Sequence, residues 1–426
     1  MAVINVEKSE RLSGEVHISG SKNAVLPLLA ATLLTDEPCV LLGVPDLKDV
    51  EVMCRLLKGF GAKIGVDFKS GRISIQTRTI TSNNADPDLV KMMRASVLAM
   101  GPLISRTGGA GVPLPGGCAI GDRPIDLHIK GFKALGANVE VMKSDTNGGF
   151  VKAEACKLKG DDIYLDFASV GATENIMMAA ALAEGTTIIE NSAQEPEIVD
   201  LANFLNKMGA RIRGAGTDTI RVEGVEKLHG AEHVVIPDRI EAGTFMIAAA
   251  ITGSLILVDN MLPNHVTPII AKLRETGVTI REASEGLEVD ATRAKLRATD
   301  IKTLPYPGFP TDIQPQFMAL LSTVEGHSEV IETVFENRFM HIEQLNKMNA
   351  GITEKGRSAS IPGGAVLKGA EVRATDLRAG AALVLAGLAA KGRTTVSDIY
   401  HIERGYDNLA GKLAAIGAEV WYNKNK

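Results

Sequence analysis

The sequence predicts an α/β protein of two domains, each built from three copies of one unit. Two recurring phrases carry that prediction. The first is an amphipathic helix, a turn and a short β-branched strand, and it occurs as LLKGFGAKI, GFKALGANV, NFLNKMGARI, AKLRETGVTI, QLNKMNAGI and KLAAIGAEV. Its turn positions are Gly61, Gly136, Gly209, Gly277, Asn349 and Gly417, spaced by 75, 73, 68, 72 and 68 residues. Glycine and asparagine are the residues that most readily take the left-handed conformation at a helix C-cap. A fixed period of this length marks a repeated supersecondary unit. The second phrase lies upstream of the turns and reads as an Ala-rich helix, a small turn and a β-branched strand. Examples are LLAATLLTDEPCVLL, IMMAAALAEGTTIIE, FMIAAAITGSLILVD and ALVLAGLAAKGRTTVSD. Such helices have few polar positions and are expected to be buried on most sides.

Taken in chain order, each unit reads helix, strand, helix, strand, usually with one more strand before the next helix. Six units exceed a single core, so a division three plus three is expected. The first domain is assigned to residues 20–236. The second takes 237–426 together with 1–19, because VINVEKSERLSGEVHISG resembles the strand that precedes the fourth repeat's first helix. Two crossings would then join two similar lobes, with the active site expected in a cleft between them that closes by a hinge.

Composition narrows the function. Over 426 residues, 46 Lys and Arg face 51 Asp and Glu, a net charge of −5, which disfavours a protein whose main task is to bind a phosphate backbone. Aromatic residues make up only 4% and offer no base-stacking platform. The longest apolar and glycine stretch, Gly380 to Ala390 with Ala379 before it, is well short of the ~18 residues of a membrane span. No basic segment followed by an apolar one opens the chain, so a soluble cytoplasmic protein is expected. Cys39, Cys54, Cys118 and Cys156 show neither CxxC nor Cys/His spacing, so no disulfide framework and no metal site follows. No cofactor, nucleic acid or membrane partner is expected.

Several residues are candidates for chemistry. The run GGAGVPLPGGCAIGDRPIDLH is longer than the matching segment of the other repeats, and such insertions map to functional loops. It sets Cys118 near Arg123, where a guanidinium favours the thiolate; Cys118 is then either a nucleophile or proton donor, or a free surface thiol. Cys39 and Cys54 sit in apolar contexts and read as core. In SKNA, Lys22 and Asn23 stand at a strand-to-helix junction, where free amides and an ammonium suit an anion; the alternative is a solvated lysine. Arg94, Arg338, Arg378 and Arg404 lie near helix starts or loops of different units, and together would suit a substrate with several negative charges. In FPTDIQPQF, Asp312 precedes a helix, either as its N-cap or as a general base.

Taken as a set, SKNA, MRAS, LPGGCAIGDRPIDLHI, SVGATENIM, EPEIVD, PDRIEAGTF, FPTD, FENRFMH, ATDLRAG and YHIERGY resemble the UDP-N-acetylglucosamine 1-carboxyvinyltransferase family of enolpyruvyl transferases. The resemblance runs from Ile4 to Trp421. It implies an inside-out α/β barrel fold, with each domain made of three βαβαββ units. It also implies an activity, transfer of the enolpyruvyl group of phosphoenolpyruvate to the 3′-hydroxyl of UDP-N-acetylglucosamine with release of phosphate. That reaction is the first committed step of peptidoglycan synthesis, and fosfomycin is an expected inhibitor.

By the same resemblance, Cys118 is the acid and covalent site, and Asp312 the base on the sugar hydroxyl. Lys22, Arg123 and Arg404 match phosphate-binding cations, Lys22 counting also among the catalytic residues, and Arg338 and Arg378 match cations nearer the carboxylate. Asn23 joins the phosphoenolpyruvate set and also the sugar-nucleotide contacts. Those contacts further comprise Arg94, Arg123, Pro124, Ile125, Asp126, Leu127, Ser169, Val170, Asp312, Val334 and Phe335. Glu195, Glu197, Arg239 and Glu241 match charged positions of the pocket and domain junction. One departure is visible. Where some members carry lysine this chain has Phe167, which leaves diphosphate binding there to backbone amides and neighbours; Phe167 either stacks near uracil or packs, and packing is the favoured expectation. The alternatives are a sister enzyme acting on shikimate phosphate and a catalytically silent regulatory paralogue.

Overall fold

The computed structural model describes residues 2–114, 125–142 and 149–424. Its contacts divide them into two units, residues 20–114 with 125–236, and residues 2–19 with 237–424. Each unit encloses its own apolar core.

The first unit is centred on three inner helices, α1 (Lys22–Ala31), α2 (Met100–Thr107) and α3 (Val170–Ala180). The second is centred on α4 (Arg239–Thr252), α5 (Gln314–Thr323) and α6 (Leu377–Ala389), which pack against one another. Four of the six, α1, α3, α4 and α6, are the Ala-rich segments of the sequence. These four are buried on nearly every side because small side chains let helices approach closely. The sheets lie around them, one face buried and one exposed, as the alternation in Arg72–Gln76 and Thr219–Glu223 shows. Helices inside and sheets outside make each unit an inside-out α/β barrel. No helix among the described residues is long and apolar enough to cross a membrane.

The βαβαββ unit is complete in the third repeat. Asp162–Tyr164 lies parallel to Thr186–Glu190, which pairs antiparallel with Thr219–Glu223, followed by Arg211–Arg213. Four other sheets repeat this order. The second repeat departs from it: Gly109–Pro113, Phe150–Glu154 and Asn138–Met142 form three strands, and a single parallel bridge from Asn84 to Gly111 stands where the fourth would be.

The ends of each unit are sewn by distant segments. Ala2–Val6 pairs with both Thr394–Ser397 and Val420–Lys424, so the N-terminal strand completes the last repeat. Ser13–His17 adds a parallel edge to Leu255–Asp259, and Glu232–Val234 does the same for Cys39–Leu42.

All six repeat turns have positive φ, from 74° at Asn349 to 103° at Gly61 and Gly209. Each closes with the same pair of backbone bonds; at the second, Gly136 N–H donates to Lys133 C=O and Ala137 N–H to Phe132 C=O. This is the 6→1 and 5→2 pattern of a helix end that turns through a left-handed residue.

Candidate active site

In the first unit the candidate residues gather at the starts of the inner helices. Ser21 caps α1 by accepting from Ala24 N–H, and Ser169 caps α3 by accepting from Ala172 N–H. Gly20 comes so close to the next strand that a Cβ there would lie 2.1 Å from Gly43 O, so only glycine fits before the cap. Lys22 is not a solvated lysine. Its Nζ lies 2.7 Å from Asp49 Oδ2, with side chains 12% and 2% exposed. Asn23 is half-buried beside it. Arg94 opens the 3-10 segment Arg94–Ala99, which packs against α1 and α3.

His128, directly after Leu127, links these pieces and was not singled out by the sequence. Its Nδ1 lies 3.0 Å from Asn175 Nδ2 on α3, so Nδ1 accepts and the proton of the neutral ring sits on Nε2. Asn175 is itself fixed, its Nδ2 donating to Val97 C=O and its Oδ1 accepting from Gly101 N–H. Burial pushes the His128 pKa down to about 4, and Arg94 adds to the effect. A Cβ on Gly171 would lie 3.3 Å from His128 Cε1, which places the ring against the first turn of α3 beside Ser169 and Val170. Ile125 and Leu127 are buried and Asp126 is exposed at the start of the helix Asp126–Ala134. Cys118, Arg123 and Pro124 lie outside the described residues.

In the second unit Asp312 is the hub. It does not cap α5, whose start carries no side-chain cap; it lies within the 3-10 turn Thr311–Ile313. Its Oδ1 accepts from Arg338 Nη2 at 3.0 Å, and its Oδ2 accepts from Arg378 Nε and Nη2 at 3.2 and 3.0 Å. These tertiary partners, absent from the local pattern, set aside the N-cap, one of the two readings the sequence leaves open. Both arginines are 2% exposed, so they are interior groups rather than surface cations. Burial works against the charge of Arg378, but Asp312, Tyr406 and Asp238 outweigh it and raise its pKa. Arg378 Nη1 is buried and finds no hydrogen-bond acceptor among the described residues.

Val334 and Phe335 join this cluster through Glu332, another residue the sequence did not single out. Glu332 Oε1 accepts from both their amides, and Oε2 accepts from Thr311 Oγ1. Arg338 also lies over the Phe335 ring at 5.9 Å. Arg404 follows the short helix Tyr400–Glu403 and is half-buried.

The remaining charged positions differ in setting. Glu241 accepts from Lys412 Nζ at 2.5 Å and from Ser19 N–H at 2.9 Å, yet burial holds its pKa up near about 7. Glu197 is buried, and burial together with Glu197 and Glu195 raises the pKa of Glu174 well above the usual range. Arg239 lies over the Tyr306 ring at 5.5 Å.

Phe167 is 54% exposed, which corrects the expectation that it packs; no apolar surface covers it before the start of α3. Cys39 and Cys54 are buried, and burial pushes the Cys54 thiol up to about 11, as expected of core residues. Glu15, Asp259 and Glu285 bring carboxylate oxygens within 4.8 Å of one another, but His17 already bonds Asp259, and exposed acids commonly cluster without an ion. A cavity of about 750 Å³ lies in the first unit at the opposite ends of its inner helices, lined by residues such as Thr35, Arg106, Cys156 and Lys227. None of the candidate residues lines it, so its size does not make it the site.

The comparisons with known proteins bear on the family and the fold. Residues 6–413 match the EPSP synthase (3-phosphoshikimate 1-carboxyvinyltransferase) family. UDP-N-acetylglucosamine 1-carboxyvinyltransferase 1 of Caldanaerobacter subterraneus subsp. tengcongensis is 58% identical over 98% of this chain and 98% of its own. The UDP-N-acetylglucosamine 1-carboxyvinyltransferase of Finegoldia magna is 55% identical over 99% of this chain and 98% of its own. Among solved structures, the enolpyruvyl transferase NikO from Streptomyces tendae superposes with a TM-score of 0.88 at 25% identity, covering 100% of this chain and 99% of that one. An EPSP synthase from Acinetobacter baumannii shares the fold alone, with a TM-score of 0.77 at 17% identity over the whole of both chains. The chain is thus an enzyme and belongs to the UDP-N-acetylglucosamine 1-carboxyvinyltransferases, within the EPSP synthase family of enolpyruvyl transferases.

Proposed function

We propose that this enzyme transfers the enolpyruvyl group of phosphoenolpyruvate to the 3′-hydroxyl of UDP-N-acetylglucosamine and releases phosphate, in the cytoplasm, as the entry step of peptidoglycan synthesis. The observation that carries the reading is the name shared by relatives at 54–58% identity over nearly the full chain. The sister reaction on shikimate phosphate is represented by a shared fold at 17% identity, which says nothing of substrate.

The chemistry needs a proton delivered to the methylene carbon, a base for the sugar hydroxyl, and cations for phosphate and carboxylate. Cys118 is assigned the proton and the covalent adduct, on the resemblance of its loop. Lys22, Asn23, Arg123 and Arg404 are assigned the phosphate, and Arg338 and Arg378 the carboxylate. Arg94, the run Arg123 to Leu127, Ser169, Val170, Val334 and Phe335 are assigned the sugar nucleotide, with substrates drawing on residues of both units. Domain residues 20–236 and 1–19 with 237–426 are accordingly read as the two halves of one enzyme.

Asp312 is assigned the base, and its setting suggests how its strength is controlled. With both oxygens accepting from guanidinium groups it is a weak base, because charge-assisted bonds stabilise the ionised form. Arg378 Nη1, which has no acceptor among the described residues, offers the first bond to an incoming carboxylate. As the guanidinium turns to that carboxylate, Asp312 loses a partner and gains basicity where the hydroxyl proton must be taken.

The test is a phosphate-release assay with phosphoenolpyruvate and either UDP-N-acetylglucosamine or shikimate 3-phosphate. Release only with the sugar nucleotide supports the reading. Release only with shikimate 3-phosphate assigns the sister activity, and release with neither acceptor supports a silent paralogue.

A further inference from the structure

Tyr406 occupies a position that no assignment above uses. It is 2% exposed, and its hydroxyl lies 3.0 Å from Thr244 Oγ1 on α4 and 2.9 Å from Gln316 Nε2 on α5. The hydrogen positions follow from the bonds. Thr244 Oγ1 spends its proton on Ile240 C=O at 2.8 Å, so the Tyr406 hydroxyl donates to Thr244 and accepts from Gln316. The ring face carries the Arg378 guanidinium, 5.3 Å from its centroid, at the start of α6. One side chain therefore ties together the ends of all three inner helices of its unit.

The backbone around it is equally fixed. A Cβ at Gly405 would lie 2.4 Å from Leu377 Cδ1, and one at Gly380 would lie 2.5 Å from Ile402 Cγ1. The segment Ile402–Tyr406 thus lies flush on the first turn of α6. Arg404 sits between the two contacts.

We propose that Tyr406 is a positioning residue for phosphoenolpyruvate: its ring orients Arg378, and its hydroxyl anchors the segment that carries Arg404. The spacing between the carboxylate-binding and phosphate-binding cations is then set by one tyrosine. This rests on the substrate reading above. An aromatic face restrains a guanidinium and leaves its N–H groups for carboxylates, and the Tyr406 hydroxyl also favours the Arg378 charge. A hydroxyl holding two bonds in a dry interior keeps the ring from tilting.

Tyr406→Phe keeps the ring and loses the anchor, and Tyr406→Leu loses both. The KM for phosphoenolpyruvate should rise about 5-fold in the first and at least about 30-fold in the second, while the KM for the sugar nucleotide stays within about 2-fold. Phenylalanine thus restores most of what leucine loses. A residue needed only for packing would lower the melting temperature and leave both KM values alone. That result in a folded Tyr406→Leu enzyme, or an equal rise in both KM values, overturns the proposal. A second measurement does not depend on the reaction. The Arg378 Nε–H resonance, in protein labelled with ¹⁵N-arginine, should show a restrained guanidinium in the wild type and an averaged one in Tyr406→Leu. Identical Arg378 signals in the two overturn the positioning role whatever the substrates prove to be. Wild-type inactivity with a restrained signal that Tyr406→Leu loses would instead count against the substrate reading alone.

Discussion

Arg378→Lys tests the reading of the Asp312 cluster most sharply, because it keeps the charge and changes only its shape. The guanidinium gives Asp312 Oδ2 two bonds, at 3.2 and 3.0 Å, from a side chain that is 2% exposed. An ammonium can replace one of them. The other is a charge-assisted bond, worth ~1.5–3 kcal/mol. The stacking over Tyr406 is lost as well, at ~0.5–2 kcal/mol. Part of this loss appears in the folded state, since Asp312 is less well held, and the melting temperature should fall. The rest appears in catalysis. A loss of ~2 kcal/mol in the transition state lowers kcat/KM for phosphoenolpyruvate by about 30-fold. The assay is phosphate release under a phosphoenolpyruvate titration at saturating sugar nucleotide, with circular dichroism to confirm folding. A folded Arg378→Lys enzyme with kcat/KM for phosphoenolpyruvate within about 3-fold of wild type would refute the assignment.

Arg404→Lys should likewise slow turnover by at least ~10-fold, because lysine cannot present two parallel N–H groups to a phosphate; steady-state kinetics of the folded variant decide it. His128 should make the protein acid-labile. Its folded pKa of about 4 lies below the ordinary 6.5, so the unfolded state binds the proton first, and stability is lost as pH falls from 6.5 towards 4. By pH 5 the loss from this residue is ~2 kcal/mol, and urea unfolding at pH 7 and pH 5 should show a smaller difference in His128→Gln. For Cys118, Asp should retain measurable activity and Ser much less, because a carboxylic acid can deliver a proton and a hydroxyl near neutral pH cannot. Treatment with fosfomycin, a phosphonate epoxide, should give one adduct by mass spectrometry, on the peptide containing Cys118; labelling at Cys156 instead removes Cys118 from its role.

Much of the architecture was legible because it is set by local chemistry repeated six times. A left-handed turn needs Gly or Asn, and all six positions marked by the period adopt positive φ. Four of the six buried inner helices were equally plain, since an Ala-rich run without a polar face has nowhere to go but inside. What the sequence left open or passed over depends on partners far along the chain. Asp312 before a helix looks locally like a cap, and only Arg338 and Arg378, 26 and 66 residues away, make it the centre of an ion-pair cluster. His128 and Asn175 carry no local signal, because their pairing joins two elements 47 residues apart. Phe167 shows the reverse error. An apolar side chain was expected to pack, but its neighbours in space leave it exposed. The closing strand Ala2–Val6 pairs with residues at the far end of the chain, which periodicity alone does not reveal.

The most direct test of the central claim is the structure of the product. Enzyme incubated with phosphoenolpyruvate and UDP-N-acetylglucosamine, followed by proton NMR, should show two new vinyl resonances on a sugar nucleotide whose 3′-oxygen has become an enol ether, formed in step with phosphate. Vinyl resonances on shikimate phosphate instead, or phosphate released without any enol ether of the sugar nucleotide, would contradict the account.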